Sequence, residues 1–303
     1  MAKRILVTGA CGFLGRHLCQ HIADIDTSAE LIRTDIVDDT NTGRGAFYPV
    51  DLTDESAVSR LIERTKPECI LHLAGLFSAN DDFQVYKSNV LSAVTLLEAV
   101  RRHKSDAVVI ITGSAAEYGQ IEPGRLPVDE TTPCRPVTAY GLSKQLATET
   151  ALYYHRVHGL CTMVARPFQL VGKGVTSRLA PGAFAEQLKR AVSSGAKVIK
   201  VGNLESSRDF LDVRDAVKAI WRLCQKPAAG EIFNICSGQP TKMADLLGAM
   251  INNFMVDVKV ETDPSRLRCG DVLKVFGSCQ KIKNHCGWQP EINLAQSISM
   301  MMK

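Results

Sequence analysis

Along the first 170 positions, the apolar residues alternate between two patterns. Short continuous apolar runs are typical of buried strands, and longer stretches with apolar residues three or four positions apart are typical of amphipathic helices. The predicted strands are RILVTGA, AELIRTDI, ECILHLAG, DAVVIITGS and CTMVARPFQLVG, and the predicted helices are FLGRHLCQHIADI, ESAVSRLIERT, NVLSAVTLLEAVRRH and AYGLSKQLATETALYYHRVHG, with a short apolar run at AFYPVDLTD. Such regular alternation predicts an α/β fold with a doubly wound parallel sheet and helices on both faces.

Beyond residue 172 the alternation loosens. Helices are predicted in VTSRLAPGAFAEQLKRAVSSGA, VRDAVKAIWRLCQ and KMADLLGAMINNF, and strands in KVIKVGN and EIFNICSG. We therefore expect residues 1–172 to form the larger domain and residues 208–237 to return to it. Residues 173–303 are expected to form mainly a smaller C-terminal α/β lobe.

Composition narrows the classes of partner. The 303 residues are 45% hydrophobic and 22% charged, as in an ordinary globular protein. The 36 basic and 32 acidic residues leave a net charge of +4 without a basic run, which argues against nucleic acid and suits an anionic small molecule. The N-terminus lacks the pattern of a secretory signal, and no apolar run is long enough for a membrane span. We expect a cytoplasmic protein with no membrane partner.

The ten cysteines are scattered along the chain, with no Cys-x-x-Cys pair and no histidine at zinc-like spacing. This pattern predicts reduced thiols and no metal site. Cys11 is the exception to watch, because it lies in a loop at a helix start, where the pKa of a thiol tends to fall.

A glycine-rich turn joins the first strand to the first helix. In VTGACGFLG, Gly9, Gly12 and Gly15 allow a tight turn and a close approach of the backbone to a pyrophosphate at the helix N-terminus. Asp35 ends the second strand 20 residues after Gly15, where its carboxylate can accept from the ribose hydroxyls of an adenosine. The sequence thus predicts a Rossmann-type domain. NAD(H) is favoured, because the carboxylate would repel a 2′-phosphate, while Arg33 and Arg16 nearby in the sequence keep NADP(H) possible.

Tyr140 and Lys144 lie one helical turn apart in TAYGLSKQ, so both side chains leave the same face of the helix. A phenol has an ordinary pKa of about 10, and a nearby ammonium favours the phenolate. We expect Lys144 to lower the pKa of Tyr140 and make it a proton shuttle for carbonyl and alcohol chemistry. Ser114, at the end of a central strand, is expected to complete this group.

The motifs TGACGFLG, SAAEYG and YGLSK together resemble the extended short-chain dehydrogenase/reductase family, whose members bind NAD(P) and act on nucleotide sugars. The resemblance spans the whole chain. It implies that Ser114 hydrogen-bonds the reacting oxygen, that Tyr140 transfers its proton and that Lys144 holds the nicotinamide ribose. Asn89 matches the family's Asn at the start of a central helix, and a simple helix cap is an equal interpretation. The resemblance also implies a homodimer formed through the Asn89 and Tyr140 helices.

Ala115 and Ala116 bear on the type of reaction. In family members that eliminate water, an acidic pair directly follows the catalytic Ser or Thr and protonates the leaving hydroxyl. The two alanines cannot do this, and Glu117 comes one residue late, where its side chain is expected to point elsewhere. A 4,6-dehydratase is therefore disfavoured. Ketone reduction and 4-epimerisation remain.

The second half resembles the branch of GDP-4-keto-6-deoxy-D-mannose reductases, most specifically in VGNLESSRDFLDVRD. The resemblance implies that Arg208 and Arg268 contact the diphosphate of a GDP sugar, a task that suits the planar guanidinium. A salt bridge to Asp209 or Asp212 is the alternative for Arg208. ARPFQLVGKG departs from the family, with Gln169 in place of Asn and Lys173 in place of Pro, so the pocket is expected to differ locally.

The sequence thus predicts a reductase of a nucleotide-linked 4-keto-6-deoxyhexose, with a nucleotide-sugar 4-epimerase or a non-catalytic nucleotide sensor as alternatives. Ser114, Tyr140 and Lys144 are the candidate catalytic residues, and Ser114, Gln169, Arg208 and Arg268 the candidate substrate contacts. The candidate cofactor contacts are Gly9, Cys11, Gly12, Phe13, Leu14, Gly15, Asp35, Ile36, Asp51, Leu52, Leu73, Ala74, Gly75, Asn89, Tyr140, Lys144 and Arg166.

Overall fold

The computed structural model describes residues 3–37, 43–79, 81–122, 124–266 and 272–302. Within these ranges, seven strands form one large parallel sheet. They are β1 (Arg4–Thr8), β2 (Glu30–Asp35), β3 (Ala46–Pro49), β4 (Cys69–His72), β5 (Val108–Thr112), β6 (Thr162–Pro167) and β10 (Ile232–Ile235). Their order across the sheet is β10-β6-β5-β4-β1-β2-β3. The predicted doubly wound α/β fold is confirmed.

Helices cover both faces of the sheet and bury a separate core on each. The helices are α1 (Phe13–Ile25), α2 (Glu55–Thr65), α3 (Asp82–Tyr86), α4 (Ser92–Arg102), α5 (Ala139–His158), α6 (Ala180–Ser194), α7 (Val213–Gln225), α8 (Met243–Phe254), α9 (Gln280–Cys286) and α10 (Leu294–Met302). Side chains of α1 and α7 pack on one face, and side chains of α2, α4 and α5 pack on the other. Burial on both faces explains why the strands read as continuous apolar runs rather than alternating ones.

Further strands lie outside the large sheet. They are β7 (Gln169–Val171), β8 (Val198–Val201), β9 (Ser207–Asp212), β11 (Pro240–Lys242), β12 (Lys259–Thr262) and β13 (Lys274–Val275). β9 pairs with β11, β13 and β7, while β8 pairs with β12. A third core beneath them contains side chains of α6, α8 and α10.

Two elements differ from the sequence prediction. CTMVARPFQLVG, read as one strand, is divided at Phe168: β6 belongs to the large sheet and β7 pairs with β9. The helix expected to begin at NVLSAV begins seven residues earlier, at Asp82 after the N-cap Asp81, and contains a π-helical segment, Lys87–Leu91. In the described part of the chain, no helix is both long and apolar enough to cross a membrane.

Candidate functional site

The glycine turn lies at the carboxyl end of β1, against the carboxyl end of β4. Gly9 has φ of +66°, and a Cβ there would lie 2.7 Å from the backbone nitrogen of Ala74. A Cβ on Gly15 would lie 2.1 Å from the carbonyl oxygen of Gly9. Gly12 precedes the first residue of α1, Phe13, and has no side chain with which to cap the helix. The first-turn N–H groups of α1 can therefore face an anion, as a dinucleotide diphosphate requires.

Asp35 ties the end of β2 to this turn. Its Oδ2 accepts a hydrogen bond from the backbone N–H of Cys11 at 2.9 Å, and its Oδ1 accepts one from the N–H of Ile36 at 2.8 Å. Arg33, which is 7% exposed, donates from Nη2 to the carbonyl oxygens of Gly43 and Gly45. Its guanidinium is therefore directed into the loop before β3, whereas the Asp35 carboxylate lies beside the glycine turn.

The remaining predicted cofactor contacts lie along the same edge of the sheet. Asp51 does not cap a helix: its Oδ1 accepts from the N–H and hydroxyl of Thr53, and Asp54 caps α2. Leu52 is buried, whereas Leu73 and Ala74 are half-buried at the end of β4. Leu14, at the start of α1, packs against the core on that face.

Asn89 lies inside a continuous helical stretch, in its π-helical part, and the helix-cap interpretation is wrong. Its side chain is 1% exposed and forms two hydrogen bonds to the backbone of Leu76. Oδ1 accepts from the Leu76 N–H at 2.8 Å, and Nδ2 donates to the Leu76 carbonyl oxygen at 2.9 Å. Nδ2 also donates to Ser143 Oγ at 2.8 Å. Gly75 has no room for a side chain, since a Cβ would lie 2.5 Å from Asn89 Oδ1. Asn89 thus fixes the loop after β4 against α5.

The structure brings Ser114, Tyr140 and Lys144 together at the carboxyl end of β5. Thr138 caps α5 by accepting from the Gly141 N–H at 3.0 Å, which places Tyr140 and Lys144 in successive turns. Lys144 is 6% exposed and donates from Nζ to the carbonyl oxygen of Thr112 at 2.7 Å. Burial lowers the pKa of Lys144 to about 8.

The expected effect of Lys144 on the pKa of Tyr140 is wrong for this arrangement. Burial raises the pKa of the phenol, a hydrogen bond with Ser114 acts in the opposite direction, and the charge of Glu117 adds to the rise. Because the Lys144 amine is directed at a backbone carbonyl, desolvation dominates. Tyr140 therefore remains a neutral phenol at neutral pH, which is the form that donates a proton.

Sequence reasoning did not select three residues of the site, which are Glu117, Thr148 and Phe77. Glu117 is fully buried; its carboxylate accepts from the Ser114 N–H and from Thr148 Oγ1, so its side chain points away from the pocket as expected. Phe77 packs its ring 5.0 Å from that of Tyr140. The Ser-x-x-Glu spacing of a capping box, present in SAAE, is the signal that could have identified Glu117.

Arg166, a predicted cofactor contact, is held inside the protein. The side chain is 2% exposed; Nη2 donates to Glu117 Oε2 at 2.6 Å, and the guanidinium lies 4.8 Å from the ring centre of Tyr118. We therefore assign Arg166 to the support of the Ser114 turn and not to contact with the cofactor, because the guanidinium is held inside the protein.

Of the predicted substrate contacts, Gln169 is exposed at the start of β7, and Arg208 is half-buried on the adjacent β9. Arg208 donates from Nη1 to the carbonyl oxygen of Ser207. The neighbouring Asp209 accepts hydrogen bonds from Ser237, Gly238 and Gly277, which fixes β9 against the carboxyl end of β10. Arg268 lies outside the described residues.

Asp212 is held by other groups. It accepts from Ser297 and forms a two-point ion pair with Arg214. Among the residues that the structure describes, no group of three or more His, Cys, Asp or Glu side chains is arranged to hold a metal ion.

Comparison with known proteins agrees with this geometry. The model of the NAD dependent epimerase/dehydratase family matches residues 5–236. The chain is 30% identical to GDP-6-deoxy-D-mannose reductase of Pseudomonas aeruginosa, over 100% of the chain and 97% of that protein. It is 28% identical to a putative UDP-glucose 4-epimerase of Methanocaldococcus jannaschii, over 98% of the chain and 97% of that protein.

Solved structures give the same result. RMD from Pseudomonas aeruginosa, complexed with NADPH, superimposes with a TM-score of 0.87 at 28% identity, covering 100% of this chain and 97% of that one. A putative epimerase from Burkholderia cenocepacia gives a TM-score of 0.85 at 26% identity, with coverage of 99% and 97%. The chain therefore belongs to the NAD-dependent epimerase/dehydratase family, as an NAD(P)-dependent enzyme of the nucleotide-sugar reductase and epimerase type.

Proposed function

We propose that this protein reduces the C4 ketone of a nucleotide-linked 4-keto-6-deoxyhexose, with GDP as the nucleotide. The observation that carries the proposal is that Ser114, Tyr140 and Lys144 lie together, while the residues that follow Ser114 direct no acidic side chain at them. Positions 115 and 116 are alanines, and the Glu117 carboxylate is buried behind Ser114. This arrangement suits proton transfer to a carbonyl oxygen and lacks the acid pair of the dehydratases.

The residues of the glycine turn fit a dinucleotide. The close approach of Gly9, Gly12 and Gly15 leaves backbone N–H groups at the start of α1, and Asp35 lies beside them as an acceptor for ribose hydroxyls. Lys144 is the candidate for the nicotinamide ribose. The dinucleotide, when bound, supplies the hydride that C4 of the sugar receives.

Tyr140 and Ser114 act on the other end of the carbonyl group. As C4 becomes tetrahedral, its oxygen takes up negative charge, and the neutral phenol of Tyr140 donates its proton there. The Ser114 hydroxyl donates a hydrogen bond to the same oxygen. One donor placed in this way contributes about 3–4 kcal/mol to stabilising a transition state.

The likeness to GDP-6-deoxy-D-mannose reductase supports the choice of sugar and nucleotide. Phe77, whose ring contacts that of Tyr140, presents an apolar surface beside the position where C4 reacts. Such a surface suits the C6 methyl group of a 6-deoxyhexose, because C6 is separated from C4 only by C5. Arg208 and Gln169, on the adjacent β9 and β7, are candidates for the diphosphate and the sugar hydroxyls.

A nucleotide-sugar 4-epimerase is the second candidate, because a putative UDP-glucose 4-epimerase also matches nearly the whole chain. It would use the same Ser114, Tyr140 and Lys144 but start with Tyr140 as a base. The two candidates differ in whether reduced nucleotide is consumed, which absorbance at 340 nm measures.

The test is a set of GDP-, UDP- and dTDP-linked 4-keto-6-deoxyhexoses, each assayed with NADH and NADPH by absorbance at 340 nm. We expect stoichiometric consumption of reduced nucleotide with a GDP-linked sugar. Tyr140→Phe should remove turnover and leave nucleotide binding intact. Parent-like rates in Tyr140→Phe would refute the assignment, and sugar inversion without consumption of reduced nucleotide would identify an epimerase.

A homodimer through α3 to α5 is part of the proposal. These helices expose large apolar side chains: Phe83, Leu91, Leu142, Leu146, Tyr153 and Val157 are each between 39% and 70% exposed. A second copy of the chain would remove this surface from water, because the apolar groups of the continuous α3–α4 helical stretch and of α5 can pack with those of the second copy as four helices. Light scattering of the purified protein, with Leu146→Asp as the variant, tests it.

A further inference from the structure

Glu117 is a fully buried carboxylate in the short 3₁₀ turn Ala115–Glu117. Oε1 accepts from the Ser114 N–H at 2.7 Å, and Oε2 accepts from Thr148 Oγ1 at 2.9 Å and from Arg166 Nη2 at 2.6 Å. A charge in a protein interior is destabilising unless it is paired and hydrogen-bonded, and Glu117 has both kinds of partner. The turn is thus fixed from below by polar contacts to α5 and β6.

These contacts determine what the Ser114 hydroxyl can do. Ser114 Oγ accepts from the Ala116 N–H at 3.2 Å, so Ser114 and Glu117 form a reciprocal capping box. A hydroxyl carries one donor and two acceptor positions. Because the Ala116 N–H occupies an acceptor position, it fixes the direction of the hydroxyl and leaves its single O–H group to donate to the reacting oxygen.

The sequence also makes room for this carboxylate. A Cβ on Gly113 would lie 2.4 Å from Glu117 Oε1 and 3.3 Å from Thr148 Oγ1. Gly113 does not have the positive φ that favours glycine, so its small size serves the carboxylate and not the backbone. Gly113, Glu117, Thr148 and Arg166 therefore form one unit, here called the Ser114 support.

We propose that Glu117 is a positioning residue for the reaction: the Ser114 support holds the Ser114 hydroxyl in line with the reacting oxygen. The inference rests on the proposed function. Glu117 acts through Ser114, since its carboxylate faces the core and not the pocket. Glu117 follows Ser114 by three positions and so cannot act as the acid of a dehydratase. It instead orients the Ser114 hydroxyl, the hydrogen-bond donor of a reductase or epimerase.

A double-mutant cycle with Ser114 tests this. Loss of one such donor lowers kcat by about 10²–10³-fold, which is the expected effect of Ser114→Ala. Glu117→Gln should lower kcat by roughly 10–100-fold while KM changes less than about threefold, because binding of substrate is not affected. In the Ser114→Ala background, Glu117→Gln should lower kcat by less than about threefold, since the group that it positions is gone.

Two milder variants test the same inference in case Glu117→Gln does not fold. Thr148→Val removes one hydrogen bond to the carboxylate, and Gly113→Ala inserts a methyl group at its oxygen; each should lower kcat in the parent background and not in the Ser114→Ala background. Thr150→Val is the matched control within α5, because the Thr150 hydroxyl bonds to the Leu146 carbonyl and not to the Ser114 support. It should leave kcat unchanged.

Equal losses in both backgrounds, or parent-like kcat in Thr148→Val and Gly113→Ala, would overturn the inference and assign the support to stability alone. The two proposals fail in different ways. If the proposed function is wrong, the parent protein consumes no reduced nucleotide with any keto-sugar. If only the positioning role is wrong, the parent is active, and the support variants either keep the parent kcat or lose the same factor in both backgrounds.

Discussion

Lys144 is predicted to destabilise the folded chain while it serves the reaction. Burial lowers its pKa from 10.5 to about 8, and the side chain is only 6% exposed, so solvent screening is small. At about 1.4 kcal/mol per pKa unit, keeping the amine charged in the folded state costs about 3 kcal/mol. Lys144→Met removes this cost but also the charged hydrogen bond to Thr112, worth about 2 kcal/mol. The variant should therefore be about 1 kcal/mol more stable at pH 7 and inactive.

The sign of the pH dependence makes this prediction specific. Below pH 8 the amine is charged in both the folded and unfolded chains, and the folded chain bears the whole penalty. Between pH 8 and 10.5 the folded chain has released the proton and the unfolded chain has not, so the penalty is relieved as pH rises. From pH 7 to pH 10, the parent should gain about 2.5 kcal/mol relative to Lys144→Met.

Urea unfolding of both proteins at pH 7 and pH 10, followed by tryptophan fluorescence without cofactor, measures this difference. Other groups that titrate at pH 10 are common to both proteins and cancel. Lys189→Met, at an exposed position, is the control and should show no such change. A stability difference between parent and Lys144→Met that is the same at both pH values would refute the reasoning.

Three further predictions concern acid stability, cofactor preference and substrate preference. Burial lowers the pKa of His72 to about 3, so between pH 6.5 and 4.5 the unfolded chain binds a proton that the folded chain does not. As the pH falls through this range, the free energy of unfolding should fall by about 1.4 kcal/mol per pH unit. His72→Asn should reduce this slope in urea titrations, and an unchanged slope would exclude His72 as its source. Asp35→Asn should lower the preference for NADH over NADPH by roughly tenfold in kcat/KM, because a carboxylate repels a 2′-phosphate; equal ratios in both proteins would remove Asp35 from this role. Phe77→Ser should lower the preference for a 6-deoxy over a 6-hydroxy keto-sugar by roughly 10-fold, as expected for loss of apolar contact with one methyl group, and an unchanged ratio would contradict that contact.

Much of the first domain could be predicted because its signals are local. The predicted bounds of α1, α2 and α7 agree with the structure, since amphipathic periodicity and end signals act within each helix. The start of the helix before Asn89 could not be predicted from periodicity, because its π-helical segment shifts the apolar pattern by one residue. Asp81, which caps it, was the local signal.

The features that the sequence did not predict depend on contacts between residues that are distant in sequence. The break between β6 and β7 is set by Phe168, whose N–H bonds to the Ile235 carbonyl and whose ring packs in a separate cluster. The short strand β13 exists only because it pairs with β9. The direction of the Tyr140 pKa could not be predicted either, because spacing along a helix does not tell where a lysine amine points.

The central claim is that Tyr140 delivers a proton to the oxygen of a sugar ketone while C4 receives a hydride. Its most direct test is incubation of the parent protein and Tyr140→Phe with a GDP-linked 4-keto-6-deoxyhexose and NADH deuterated at the transferring position. The parent should yield one deuterium at sugar C4 for each NADH consumed, and Tyr140→Phe should yield none while still binding NADH. Product without deuterium at C4, or equal labelling by both proteins, would contradict the claim.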